Sequence, residues 1–198
     1  MQVTILDYGV GNLHSLAKAI AAAGAEPVIV SDAREAAHST VLVLPGVGAF
    51  APAAARFSEA RDQLHDAILA GLPTLGICLG MQLMFDASDE GAGAGLGVFG
   101  GRVTRLTSQA VPQIGWNALD EATEPLLEQS ELREVYYANS FACRADDATL
   151  VRAWSEHEGD RFAAVVRRGR SLGVQFHPEK SSSPGVAFIR AFLQEAAA

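Results

Sequence analysis

The first eighty residues repeat one alternation: a short apolar run, a break rich in glycine or polar residues, then a stretch with helical spacing. The apolar runs are Val3 to Tyr8, Glu26 to Val30, Thr40 to Leu44 and Thr74 to Ile77. Between the first two, Asn12 is placed to cap a helix over Leu13 to Ala23 that stops at Gly24. Asp32 caps a short helical piece reaching His38, and a third helix starts at Pro52. That helix carries Phe57, Leu64, Ile68 and Leu69 on its apolar face and ends before Gly71-Leu72-Pro73. Strands separated by helices need crossover connections, so they lie parallel. The expected fold is α/β: an open, mostly parallel sheet flanked by helices.

Beyond Phe85 the pattern changes. Ser88 to Gly95 reads as a loop, and from Arg102 the helical period gives way to strands, mostly with hairpin-like connections. The candidates are Arg102 to Leu106, Pro112 to Leu119, Val135 to Phe141, Leu150 to Ser155, Phe162 to Arg167 and Leu172 to Phe176. They add antiparallel strands to the C-terminal half. Gly185 to Glu195, with Val186, Ile189, Phe192 and Leu193 on one face, reads as a closing helix. There is no internal repeat and no long linker, so residues 1–198 are expected to form one domain.

With 49% hydrophobic residues, 19% charged and a formal net charge of -8, the chain has a large core and no general field for phosphate backbones or anionic lipid. Neither nucleic acid nor membrane is an expected partner. Arg167-Arg168-Gly169-Arg170 is the one basic run of note and reads as a solvated turn between strands. The two cysteines, Cys78 and Cys143, make no disulfide framework and have no metal-ligand spacing, so no metal or cofactor is expected. With no signal-like segment and no bilayer-length apolar run, the expected compartment is the cytoplasm.

Leu75-Gly76-Ile77-Cys78-Leu79-Gly80-Met81-Gln82-Leu83 ends a buried strand, turns between glycines and starts a helix. This Gly-x-Cys-x-Gly form matches a nucleophile elbow, in which a strained turn lifts the reactive residue above the sheet edge. A thiol at a helix start also feels the positive end of the helix dipole, which favours thiolate. A buried, inert cysteine is the other reading of the same position. Strand exits of an open α/β sheet share a crevice at their carboxyl ends, which sets Pro45-Gly46-Val47-Gly48 beside Cys78. A cysteine nucleophile needs a base. His14, His38, His65 and His157 lie in helix-like or loop contexts, whereas His177 leaves the apolar run Leu172 to Phe176 and is followed by Pro178 and Glu179. The proline makes that exit rigid, and a histidine with a neighbouring carboxylate is the base and orienter that thiol catalysis requires.

Pro45-Gly46-Val47-Gly48, Gly76 through Gln82 and Phe176-His177-Pro178-Glu179 together resemble the three signature segments of the triad-type glutamine amidotransferases. Four segments further resemble the glutaminase subunits of imidazole glycerol phosphate synthase: Asp7 through Leu13, Pro45 through Phe50, Ile114-Gly115-Trp116-Asn117 and Glu179-Lys180-Ser181-Ser182. The resemblance spans nearly the whole chain and departs from the family where Asn139 replaces a frequent histidine and Phe141 a frequent aromatic hydroxyl.

The resemblance implies that L-glutamine is hydrolysed to glutamate and ammonia through a thioester on Cys78. His177 would serve as base and Glu179 as its orienter. It also implies oxyanion donors from the Leu79 N–H and the loop containing Val47 and Gly48, and substrate contacts from Gly48, Gln82, Ser140 and Phe141. A (βα)8-barrel cyclase subunit would accept the ammonia in histidine biosynthesis, with Asn12, Trp116, Tyr136 and Lys180 at the partner face or ammonia passage. The same triad also suits the glutaminase of another synthase, of the pyridoxal 5′-phosphate or anthranilate type, and the same fold suits a silent regulatory subunit. The Trp116 and Lys180 segments speak for the first reading, and the intact Cys78, His177 and Glu179 speak against silence.

Overall fold

A computed structural model of the chain describes residues 1–9, 13–46 and 48–198. The N-terminal half alternates as its sequence predicts: β1 (Gln2–Leu6), α1 (His14–Ala22), β2 (Glu26–Val30), α2 (Ala33–Ala36) and β3 (Leu42–Leu44). Then come α3 (Phe50–Phe57), α4 (Arg61–Leu69), β4 (Thr74–Ile77) and α5 (Leu79–Leu83). The Asp32 side chain caps α2 by accepting from the Arg34 N–H at 2.8 Å. Gly24, at φ +97°, ends the α1 turn in a conformation that favours glycine.

The second half supplies β5 (Ala87–Ser88), β6 (Gly91–Ala94), β7 (Gly101–Arg105), β8 (Gln113–Ala118), α6 (Pro125–Gln129) and β9 (Glu134–Asn139). It continues with β10 (Phe141–Ala145), β11 (Val151–His157), β12 (Asp160–Arg168), β13 (Ser171–Val174) and α7 (Ser182–Ala196).

Among the described residues the main sheet runs β11-β12-β13-β4-β3-β1-β2. Pairings from β13 through β2 are parallel, and β12 and β11 extend the edge antiparallel. Successive residues of β3 serve opposite layers, as strand periodicity requires. Val43 packs with Ile20, Phe188 and Phe192 on one face, while Leu42 and Leu44 pack with Phe57, Leu64 and Met81 on the other. Two smaller units sit beside the main sheet: a four-stranded sheet ordered β10-β7-β5-β6, and the ribbon β8-β9.

Several expectations change. Ser88 to Gly95 is not an open loop: β5 and β6 form a hairpin, docked through β7 onto the small sheet. The glycine and alanine repeat there allows close packing, since a Cβ at Gly91 would lie 2.8 Å from the Ala51 Cβ. The helix begun near Pro52 is two helices, separated by a 3₁₀ turn at Ser58–Ala60. The break rotates Leu69 off the apolar face, and it is 49% exposed. Val135 to Phe141 is two strands, because the chain turns at Ser140 to join β7, and α6 lies in a segment given no element from the sequence. The basic run ends β12 and turns at Gly169-Arg170 into β13, and it is not merely solvated. Arg167 pairs with Glu124 and Glu195, Arg168 donates to the Val98 carbonyl and Arg170 to that of Ala196.

Candidate active site

Three adjacent parallel strands, β3, β4 and β13, end on one edge of the sheet, with Leu44 in register with Gly76 and Ile77 with Val174. Each continues into one part of the site. Cys78 follows β4 directly at φ +47°, ψ -104°, a backbone conformation that costs a non-glycine residue energy and is held by its surroundings. The Cys78 N–H donates to the Val174 carbonyl at 2.7 Å, which fixes one side of the turn. The elbow glycines fix the other. A Cβ at Gly80 would lie 1.9 Å from the Leu44 carbonyl oxygen, and one at Gly76 would lie 2.6 Å from the Met84 Sδ. Helix α5 therefore sits closer to the sheet than any larger residue at these positions permits.

His177 leaves β13 three residues after Val174 and is pinned from both ends. Its N–H donates to the Tyr136 carbonyl at 2.8 Å, and its carbonyl accepts from Ser181 Oγ at 2.7 Å, the same hydroxyl that accepts from the Tyr136 N–H. The His177 Nδ1 lies 2.7 Å from Glu179 Oε1, and both side chains are buried. That contact leaves Nε2 for the Cys78 sulfur. Burial opposes charge on the imidazole, but the adjacent Cys78 sulfur and the hydrogen bonds to Cys78 and Glu179 outweigh it, and the pKa is pushed up to about 10. Gly46, in the segment after β3, packs against this pair. A Cβ at Gly46 would stand 3.0 Å from both the Cys78 Cβ and the His177 Cε1.

The sulfur opens onto a cavity of about 180 Å³. Of the residues singled out in the sequence for oxyanion and substrate contacts, Gly48, Leu79, Gln82, Ser140 and Phe141 all line it. Leu79 opens α5, so its N–H belongs to the first turn, where backbone donors have no intrahelical acceptor. Gln82 is buried and donates through Nε2 to the Phe141 carbonyl at 3.1 Å. Asn139 Nδ2 donates to the same carbonyl at 3.0 Å, so asparagine at this position braces the wall of the cavity. The Ser140 carbonyl accepts from the Leu106 N–H. Val47 and Asn12 lie outside the described residues.

Three polar side chains in the cavity or behind it were not singled out as contact residues. Glu90, read as part of a loop, lines the cavity while its Oε2 accepts from the Phe50 N–H at 2.9 Å. Asn139, noted only as a departure from the family pattern, holds a buried Oδ1 with no partner among the described residues. Gln175 is wholly buried, with its Nε2 3.5 Å from the Cys78 Sγ. The signal for the last was an amide side chain between Val174 and Phe176, in a run otherwise fit for the core.

Trp116, Tyr136 and Lys180 come together away from the cavity. The Trp116 and Tyr136 rings meet edge to face with centroids 6.1 Å apart, and Lys180 Nζ lies 5.9 Å from the Tyr136 centroid. Trp116 is 54% exposed and its neighbour on the same face of β8, Ile114, 68%. Among the described residues, no group of three or more His, Cys, Asp or Glu side chains is arranged to hold a metal ion. No helix among them is long and apolar enough to cross a membrane.

Residues 4–196 match the glutamine amidotransferase class-I family. The chain is 39% identical over 201 residues to the imidazole glycerol phosphate synthase subunit HisH of Gloeothece citriformis, covering 98% of this chain and 95% of that protein. It is 40% identical over 196 residues to the subunit of the same name from Pyrobaculum aerophilum, with 98% and 97% coverage. A crystal structure of a glutamine amidotransferase superposes with a TM-score of 0.75 at 20% identity, covering 99% of each chain, which is agreement in fold.

Proposed function

We propose, for a chain that belongs to the class-I glutamine amidotransferases and within them to the imidazole glycerol phosphate synthase HisH subunits, that Cys78, His177 and Glu179 form its catalytic triad. The chain is the glutaminase subunit of that synthase. The observation that carries the assignment of residues is the buried contact of His177 Nδ1 with Glu179, which turns the other imidazole nitrogen to the elbow sulfur.

In this reading the Cys78 thiolate attacks the side-chain amide carbon of glutamine while His177 holds the thiol proton as imidazolium. Glu179 fixes the tautomer and stabilises the charged ring, as the carboxylate of a hydrolase triad does. The tetrahedral oxyanion is met by the Leu79 N–H and by the loop of residues 46–48, with Val47 and Gly48 supplying the second donor. One such donor is worth about 3–4 kcal/mol of barrier. His177 then returns its proton to the leaving ammonia, and water hydrolyses the thioester to glutamate. Gln82 and backbone groups of Gly48, Ser140 and Phe141 hold the substrate. Glu90 and the unpartnered Asn139 Oδ1 add negative charge and an acceptor on the wall that the substrate ammonium would face.

Ammonia has an acceptor in a (βα)8-barrel cyclase subunit, which would cover the face carrying Ile114, Trp116, Tyr136 and Lys180; Asn12 joins this set by the sequence resemblance alone. A second cavity, of about 270 Å³, shares Gly46 with the substrate cavity and is lined by Leu13, Leu16, Glu179 and Lys180, which suits a passage between the two. We take residues 1–198 as one amidotransferase domain working as a heterodimer in the cytoplasm, without metal or cofactor.

Steady-state glutamate release tests the reading. The lone chain should be a poor glutaminase, and adding the cyclase subunit with its ligand should raise the rate. Full activity of the lone chain would overturn the coupling, and a Cys78→Ser complex as active as the wild type would overturn the triad.

A further inference from the structure

Beside the elbow sulfur lies a buried hydrogen-bonded group that the triad does not use. Gln175 is the first residue after β13, in line with Cys78 because the preceding pair, Val174 and Ile77, is in register. Its backbone N–H donates to the Ala164 carbonyl at 2.9 Å, and its side chain is wholly buried. The amide makes three contacts. Nε2 faces Cys78 Sγ at 3.5 Å, while Oε1 faces Gln82 Nε2 at 3.4 Å and Cys143 Sγ at 3.7 Å.

The orientation of a buried amide is decided by its partners. Here two donors face the oxygen. Gln82 is itself oriented by donating to the Phe141 carbonyl, so its NH₂ points at Gln175. Burial pushes the Cys143 thiol up, so its S–H is kept as a weak donor that can point at the amide oxygen. Turning the Gln175 amide over would set its NH₂ against the NH₂ of Gln82 and forfeit the thiol's S–H. This places the NH₂ group toward Cys78.

We propose that Gln175 is a catalytic donor to the nucleophile: its Nε2–H meets the negative charge that develops on the Cys78 sulfur during the reaction and aims the sulfur into the cavity. The inference rests on Cys78 being the nucleophile. A hydrogen bond to an ionised sulfur does more work than one to the neutral thiol, so it acts as the proton passes to His177. The same amide ties the nucleophile to Gln82, a wall of the substrate cavity, so a ligand that pulls on Gln82 is felt at the sulfur. The other titratable groups around Cys78 are His177 with Glu179 from the turn after β13, Tyr137 from β9 and Cys143 from β10, with Glu90 on the cavity wall.

Alkylation of Cys78 by iodoacetamide in the full chain, mapped to its peptide and followed over pH, reads sulfur reactivity without glutamine. Gln175→Met keeps length and burial but removes the donor. Its alkylation rate at neutral pH should fall about ten- to hundredfold, the range for one hydrogen bond to a charged group, with the pH midpoint moved upward. Gln175→Glu sets a carboxylate against the sulfur and should move the midpoint further in the same direction. Glutamate release by the cyclase-activated Gln175→Met complex should fall mainly in kcat. A variant with a native thermal midpoint and an unchanged alkylation profile overturns the proposal and leaves the triad standing. A loss of stability with no change in the profile also overturns it, because that is what packing alone predicts. Failure of the triad itself would show separately, as glutaminase activity in Cys78→Ser.

Discussion

The elbow and the β8-β9 ribbon are built on opposite principles. The elbow is held from every side: neighbouring strands in register, a helix pressed onto the sheet at glycines, and a histidine turn tied down by Ser181. The ribbon is two strands outside the main sheet, and it presents Ile114 and Trp116 to solvent. Large apolar side chains left outward on a two-stranded ribbon gain little within their own chain, and aromatic residues of this kind are the anchors of protein interfaces. The difference teaches where each half of the function resides. In the proposed reading the chemistry belongs to the tightly held core, and the coupling falls to the exposed face of the ribbon.

Breaking the elbow should cost the fold most. Gly80→Ala places a Cβ 1.9 Å from a backbone oxygen that has little room to move. Overpacking of this kind costs about 3 kcal/mol or more, and for a chain of this size each kcal/mol lowers the melting temperature by about 2–4 °C. A thermal melt should therefore show a drop of about 6–12 °C or more, and an unchanged midpoint would mean that α5 is not tied to β3 as described.

Trp116→Ala should act on the other region. Its thermal midpoint in the isolated chain should stay within the change expected of a surface site, about 0.5 kcal/mol, while affinity for the cyclase falls by about 2 kcal/mol or more, the mark of an interface anchor. A thermal melt and titration calorimetry on the same sample read the two parts of the contrast. A large stability loss with native affinity would place Trp116 in the core instead.

A pH effect sharpens the account of the buried imidazole. The His177 pKa, at about 10 in the folded chain, is raised above the unfolded value of about 6.5. Protonated His177 thus contributes stability that is full below about pH 6.5 and is lost as pH rises through about 10. The gap in thermal midpoint between the wild type and His177→Asn should shrink on going from pH 6.5 to beyond 10. A gap that stays flat or widens would mean that the ring is not held charged.

Much of the contrast was legible in the sequence, for reasons that differ by region. The parallel core announced itself because crossover helices and apolar runs obey fixed periods, and the elbow because its glycines are required by contacts as close as that of Gly80 with Leu44. His177 was recognisable from Pro178 and Glu179, which lock local geometry. That β13 lies directly beside β4, bringing His177 to Cys78, is a matter of strand order across a hundred residues, which no local pattern encodes. The β5-β6 hairpin was hidden by its composition, since glycine and alanine give no apolar alternation and its strands are held by close backbone packing. Gln175 was hidden for the opposite reason. Its neighbours Val174 and Phe176 are ordinary core residues, and its role comes from Gln82 and Cys143, which reach it from distant elements.

The central claim is that the elbow sulfur carries the reaction. Acid quenching of the cyclase-activated complex during turnover of glutamine, followed by peptide mass mapping, tests it most directly. The account predicts a γ-glutamyl thioester on the peptide bearing Cys78 and none on the peptide bearing Cys143. An adduct on any other residue, or no adduct on Cys78 when the complex is saturated with glutamine and water attack is slowed enough for the thioester to accumulate, would contradict it.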